Sequence, residues 1–117
     1  MDDSEWVAQL RRGIMEFCIL ALIHKKACYG YEIVSTLEKY NYLSITEGTL
    51  YPLLRRLQKE NKLESYWQES ESSGHPRKYY RLTALGLDLL SKMSLTWVDF
   101  TKEINDLNNQ KESGLSE

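Results

Sequence analysis

Apolar residues recur at helical spacing along the first quarter of the chain. Trp6, Leu10, Ile14, Phe17 and Ala21 step by four, four, three and four, and Leu20 and Ile23 widen the stripe. That spacing places them on one face and predicts a first helix over residues 4–25. Ser4 suits its N-cap, and Lys25-Lys26 suits the negative end of its dipole. Ala27-Cys28-Tyr29-Gly30 reads as a short break. A second helix over 31–40 turns Ile33, Val34 and Leu37 inward, and Asn41-Tyr42-Leu43-Ser44 is a turn. Thr46 then caps a third helix over 46–61, with Leu50, Leu53, Leu54 and Leu57 as its inward stripe. Helix, short turn and helix at these lengths form the pattern of a helix-turn-helix.

Beyond residue 61 the period changes. Leu63, Ser65 and Trp67 alternate with Glu64, Tyr66 and Gln68, and Lys78-Tyr79-Tyr80-Arg81-Leu82 is a second short run rich in strand-forming residues. Between them, residues 70–76 are polar, with no apolar side chain to pin them. Two strands joined by a mobile loop directly after a helix-turn-helix describe a wing, over 63–82. Thr83 caps a last helix in which Leu85, Leu89, Met93, Trp97, Phe100, Ile104 and Leu107 form one stripe. At about 1.5 Å per residue this seam runs roughly 33 Å, more than three short helices and a hairpin can cover. It is better explained as an oligomerisation helix, with Leu89, Met93, Trp97, Phe100 and Ile104 at a dimer interface. The expected fold is mainly α with a small β-hairpin (α+β): a winged helix-turn-helix over 1–83, a dimerisation helix over 84–108 and a flexible tail over 109–117.

If the leucines of the third helix face inward, its outer face carries Gly48, Pro52, Arg55 and Lys59, flanked by Tyr51, Arg56 and Lys62. In a helix-turn-helix this face enters the major groove, where Arg can bridge guanine and any cation can reach a phosphate. Gly48 lets backbone approach a phosphate, and the helix N-terminus at Thr46 offers unpaired N–H groups. His75, Arg77, Lys78 and Arg81 add positive charge on the wing. Basic residues opposite a leucine stripe are also what an ordinary solvated face looks like; the second basic element on the wing favours the nucleic-acid reading. Pro52 conflicts locally with a helix starting at Thr46, because it crowds and unpairs the carbonyl of Gly48. Either the helix starts nearer Thr49 or its first turn is distorted.

The net charge of −2 argues against a uniformly basic polyanion binder, but the charge is uneven. Residues 24–83 hold ten Lys or Arg against seven Glu, whereas residues 85–117 hold three Lys against six acidic residues. A local basic face is therefore available. Cys18 and Cys28 show no metal-ligand spacing and read as two reduced thiols. The acidic opening is the reverse of a signal peptide, and the longest apolar stretch is too short to span a bilayer, so a cytoplasmic protein is expected. No nucleophile elbow, phosphate-cradling Gly loop or metal pattern is present, so neither enzymatic activity nor a cofactor or metal is expected. The alternative to a DNA-binding regulator is a helical protein–protein adaptor whose hairpin is not a wing; Glu64, Glu69 and Glu71 lean that way.

Three motifs in order, Tyr29-Gly30-Tyr31-Glu32-Ile33, Glu47-Gly48-Thr49-Leu50-Tyr51-Pro52-Leu53-Leu54-Arg55-Arg56-Leu57 and Arg77-Lys78-Tyr79-Tyr80-Arg81-Leu82-Thr83 with Gly86, resemble the PadR family of bacterial transcriptional regulators. The likeness runs from about Leu10 to Phe100, and a single terminal helix is similar to the family's short subgroup. The resemblance implies a homodimeric repressor that binds a palindromic operator until an effector releases it. It also implies DNA contacts from Tyr31, Gly48, Thr49, Tyr51, Arg55, Arg77 and Lys78. The usual wing is Gly-rich, whereas this one has Gly74 followed by His75-Pro76. Trp97 resembles the interface tryptophan of a lactococcal multidrug-binding member, whose paired indoles sandwich flat aromatic molecules. Leu10, Ile14, Phe17, Met93 and Phe100 are then candidate walls of a slot for a small aromatic effector. Closed seam packing is the competing account of Trp97, and the bulk of Phe17 works in its favour.

Overall fold

Residues 3–69 and 74–110 are described by a computed structural model. In chain order the elements are α1 (Asp3–Lys25), β1 (Cys28–Tyr29), α2 (Gly30–Leu37), α3 (Glu47–Lys59), β2 (Leu63–Glu69), β3 (Pro76–Leu82) and α4 (Ala84–Asn109). The mainly helical winged arrangement follows the sequence expectation. The hairpin is extended by one strand, because β1 pairs antiparallel with β3 and gives the sheet order β1-β3-β2. A two-residue strand is too short to leave a period, so it read as a break. Cys28 and Tyr29 nonetheless find partners in Tyr80 and Tyr79.

The core gathers Met15, Ile19, Leu20 and Ile23 from α1, Ile33, Val34 and Leu37 from α2, and Leu50, Leu54 and Leu57 from α3. Leu63 and Tyr80 close it from the sheet, and Leu90 from α4. The face that α1 buries is thus not centred on the expected stripe: Trp6 and Leu10 are 56% and 46% exposed, and Ile14, Phe17 and Ala21 are half-buried. The helix has apolar residues on two faces, and periodicity does not say which one turns to the core.

Helix boundaries also differ, α3 for instance ending at Lys59 and not at 61. α1 begins at Asp3, so Ser4 lies inside its first turn and not at the cap. α2 ends at Leu37, three residues before the expected Tyr40; beyond Leu37 its next apolar side chain, Tyr40, is 55% exposed and has no core to join. α4 is still helical at Asn109, and the chain leaves it in extended conformation at Gln110. Most of the expected tail (111–117) and of the wing loop (70–73) lies outside the described residues.

The conflict at Pro52 resolves in favour of the longer helix. Thr46 is the N-cap of α3 and its hydroxyl oxygen accepts from the Thr49 N–H, while Pro52 sits inside the helix. The carbonyl it deprives belongs to Gly48, which is exposed and open to water. At the other end the Lys62 N–H donates to the Leu57 carbonyl and the Asn61 N–H to the Gln58 carbonyl. With Asn61 at φ 66°, this is a Schellman closure using Asn in place of Gly. It turns the chain directly into β2.

That turn is clasped to the start of α4. Thr83 donates its N–H to the Lys62 carbonyl at 3.1 Å and its hydroxyl to the Asn61 carbonyl at 2.6 Å, and accepts the Gly86 N–H at 3.0 Å. Gly86 is buried against the same Lys62 carbonyl, into which any Cβ would run. Gly86→Ala should therefore lower stability by about 1–3 kcal/mol, the usual cost of overpacking. A urea midpoint equal to that of the wild type would show that the contact can relax.

Candidate nucleic-acid interface

Leu50, Leu54 and Leu57 have 0% exposure, which fixes the opposite side of α3 as the accessible one. Gly48, Pro52, Arg55 and Lys59 are all exposed there, with Thr46 and Thr49 at the N-terminal end. Tyr51 is half-buried, with its ring lying against Gly30 so closely that any Cβ at residue 30 would overlap it. Burial pushes the Tyr51 hydroxyl pKa upward, and the charge of Glu47 adds to this, so at neutral pH it is a neutral donor and acceptor. Tyr31, in the first turn of α2, is 60% exposed.

Tyr31, Tyr51 and Arg55 share an open cleft of about 530 Å³ with the wing residues Trp67, Arg77, Lys78 and Tyr80. Two elements with cations far apart in sequence thus converge on one hollow. Lys59 and His75 are exposed but do not line it, and Thr46 and Thr49 line a separate groove of about 1090 Å³ that also reaches Tyr31. Arg11 and Arg12 of α1 border that second groove. Arg12 is exposed, whereas Arg11 is held by the Tyr42 carbonyl at 2.9 Å.

The cations sort into two groups. Arg56 meets Glu16 at 3.0 Å and Glu60 at 3.1 Å. Lys62 meets Glu16 at 3.0 Å and Glu60 at 2.9 Å. These four residues tie α1 to the end of α3, and the two carboxylates raise the pKa of Lys62. Arg81 is paired with Glu64 at 3.1 Å. Among the described residues, Arg55, Lys59, Arg77 and Lys78 have no acidic partner. Arg56 and Lys62, read from sequence as flanking the outer face, are thus structural.

Strand register divides the wing cations as well. Lys78 pairs with Trp67, and Arg77 with Gln68. Consecutive residues of a strand point to opposite faces, so Lys78 shares the side of the buried Tyr80 and Leu63, while Arg77 lies on the other face over the Tyr29 ring at 4.4 Å. Trp67 was not singled out by sequence. Its alternation with Leu63 and Ser65 marked only a strand; β2 outruns the core and leaves Trp67 68% exposed beside Lys78.

The apolar row of α4 lies largely uncovered: Trp97, Phe100 and Ile104 are 41%, 57% and 50% exposed, while Leu89 and Met93 are half-buried. Leu95 and Val98 form a second exposed row, at 71% and 62%, that the single stripe did not include. Ile14, Phe17, Met93, Trp97 and Phe100 line one slot of about 410 Å³, and the Phe17 and Trp97 rings stand 5.9 Å apart. Leu10 is not part of it; it lines a neighbouring groove with Trp6 and Tyr42.

Neither thiol is set up as a nucleophile. Burial raises the pKa of Cys18, and burial followed by the charge of Glu32 pushes Cys28 up to about 11. Among the described residues no three His, Cys, Asp or Glu side chains are grouped as a metal would require. No helix there is long and apolar enough to cross a membrane.

Residues 19–92 match the family profile of the Transcriptional regulator PadR-like family. An uncharacterised protein X of Lysinibacillus sphaericus is 42% identical over 98 residues, covering 82% of this chain and 88% of its own. The crystal structure of a PadR-like transcriptional regulator from Bacillus cereus is similar at TM-score 0.82 and 36% identity, covering 88% of this chain and 99% of that one. A PadR family transcriptional regulator from Eggerthella lenta is similar at TM-score 0.79 and 34% identity, covering 92% and 93%.

The sorting of cations has a direct thermodynamic test. Lys62→Met and Arg56→Met should each lower stability by about 0.5–1 kcal/mol, since they break a network of partly exposed pairs. Arg55→Met and Lys78→Met should stay within about 0.5 kcal/mol of wild type. Equal losses in the two groups, measured by urea unfolding, would contradict the division.

Proposed function

The chain belongs to the PadR-like family of transcriptional regulators, which are not enzymes, and from that premise we propose that it is a homodimeric repressor of a palindromic operator. α3 enters the major groove with Tyr51, Arg55 and Lys59 toward the bases and phosphates, and its N-terminal residues Thr46, Gly48 and Thr49 approach the backbone. Tyr31 flanks them from α2. His75, Arg77 and Lys78 carry the wing onto the adjoining backbone. The observation that carries this reading is the cleft in which Arg55 and Lys78, neither held by a carboxylate among the described residues, face Tyr31, Tyr51 and Trp67. A charge left unneutralised beside aromatic surface is suited to a polyanion that also presents sugar and base edges.

The apolar row of α4 supports the dimer. Trp97, Phe100 and Ile104, continued by the half-buried Leu89 and Met93, form an apolar face open to water in a lone protomer, and a two-fold axis along it would bury the face against its own copy. Palindromic half-sites follow from the same axis. The slot between Phe17 and Trp97 opens onto this seam, which supports a small, flat aromatic effector stacking there and shifting the two reading heads relative to each other. Leu10, outside the slot, has no part in this.

Mobility shifts with DNA from upstream of the chain's own gene test the first part. Wild type should bind specifically and lose affinity steeply with salt, by on the order of a thousand-fold between about 50 and 200 mM if about six phosphates are neutralised. Arg55→Ala with Lys78→Ala should abolish the specific shift without changing the melting temperature. Weak binding that ignores salt would point instead to a protein partner. The effector is tested by fluorescence: a flat aromatic cation should quench Trp97 and release the operator, and Trp97→Ala should remove both effects together. Release that survives in Trp97→Ala would place the effector elsewhere.

A further inference from the structure

We propose that Tyr29 is a positioning residue for DNA binding, acting through Arg77; this rests on the DNA-binding reading above and adds a residue to it. The outer face of the wing carries Tyr29, Tyr79 and Tyr66 in a row across the three strands. Tyr29 meets Tyr79 edge-on at 5.3 Å, and Tyr79 stacks on Tyr66 at 5.7 Å. A guanidinium lies over each end of the row: Arg77 over Tyr29 at 4.4 Å and Arg81 over Tyr66 at 4.7 Å. The two ends are not equivalent. Arg81 is also bonded to Glu64 at 3.1 Å, which neutralises it. Among the described residues Arg77 has no acidic partner, and it rests on the π face of Tyr29.

That difference matters chemically. A guanidinium held over a ring face and not by a carboxylate keeps its charge unneutralised and its N–H donors free for a phosphate. A long side chain already confined in that pose loses less conformational freedom when it binds. Tyr29 is itself fixed by backbone pairing to Tyr79 and is the N-cap residue of α2, one residue before the Gly30 that seats Tyr51 of α3. It therefore sets the Arg77 guanidinium in a fixed relation to the recognition helix. Lys78 leaves the strand on the opposite side, yet both residues border the cleft shared with α3, so the pair can grip one backbone from two directions.

The test is a double-mutant cycle on operator affinity with wild type, Tyr29→Leu, Arg77→Ala and the pair, supplemented by Tyr29→Phe and Arg77→Lys. Tyr29→Leu should weaken binding about two- to five-fold, the range for a cation–π contact that water still reaches, and should cause no further loss in the Arg77→Ala background. Tyr29→Phe keeps the ring face and should bind as wild type. Arg77→Lys leaves Tyr29 and the fold intact but replaces the planar fork, and should lose about as much as Tyr29→Leu. An undiminished Tyr29→Leu penalty without Arg77, or wild-type affinity in Arg77→Lys, would overturn the role while leaving DNA binding standing. Failure of the wild type itself to bind would overturn both.

Discussion

Burial of Leu50, Leu54 and Leu57 is the constraint on which the rest of the molecule depends. Fully burying a leucine contributes about 2 kcal/mol, so three together approach the whole stability of a small domain. No rotation of α3 that exposes them is affordable, and the opposite face is fixed as a consequence. Arg55 and Lys59 face solvent because the leucines cannot. The same rigidity fixes the exit of the helix, where Asn61 closes the last turn and delivers the chain into β2 at a set angle. The wing is in this sense an extension of the core, and its distance from α3 is decided by packing.

Around this centre the charges are divided between holding and reaching. Glu16 and Glu60 collect Arg56 and Lys62 into a network that locks α1 to the end of α3. Arg55, Arg77 and Lys78, beyond the reach of those carboxylates, line the cleft between α3 and the wing. A net charge of −2 is no obstacle to binding a polyanion when Glu16 and Glu60 are occupied in this way and much of the remaining negative charge lies in the C-terminal helix.

α1 and α4 each carry apolar residues on more than one side. One side of each closes the core, through Met15, Ile19 and Ile23 of α1 and Leu90 of α4. The other sides leave Trp6, Leu10, Trp97 and Phe100 open to solvent. Such surplus apolar surface is costly in an isolated protomer, and the seam proposed here would account for it. The Phe17–Trp97 slot lies where the two surplus faces meet, so any ligand in it would sense how the helices are set.

Much was legible from the residues alone. Helical spacing found the four helices, alternation found the wing, and the outward face of α3 followed from its leucines, because a regular helix puts opposite residues at opposite angles. The capping threonines at 46 and 83 were legible for the same local reason. What sequence did not decide are matters of non-local geometry. Which apolar face of α1 is buried depends on what lies against it. Whether Arg56 and Lys62 are available depends on Glu16, 40 and 46 residues away in the chain. A two-residue strand acquires its identity only from the partner it meets. The opposite facing of Arg77 and Lys78 was implicit in a strand, but that the outer face holds a row of tyrosines ending under Arg77 needed the register of three strands at once. Local periodicity is written in the chain because each residue carries its own propensity and polarity. Pairing between distant residues is decided only when the fold brings them within a few ångströms.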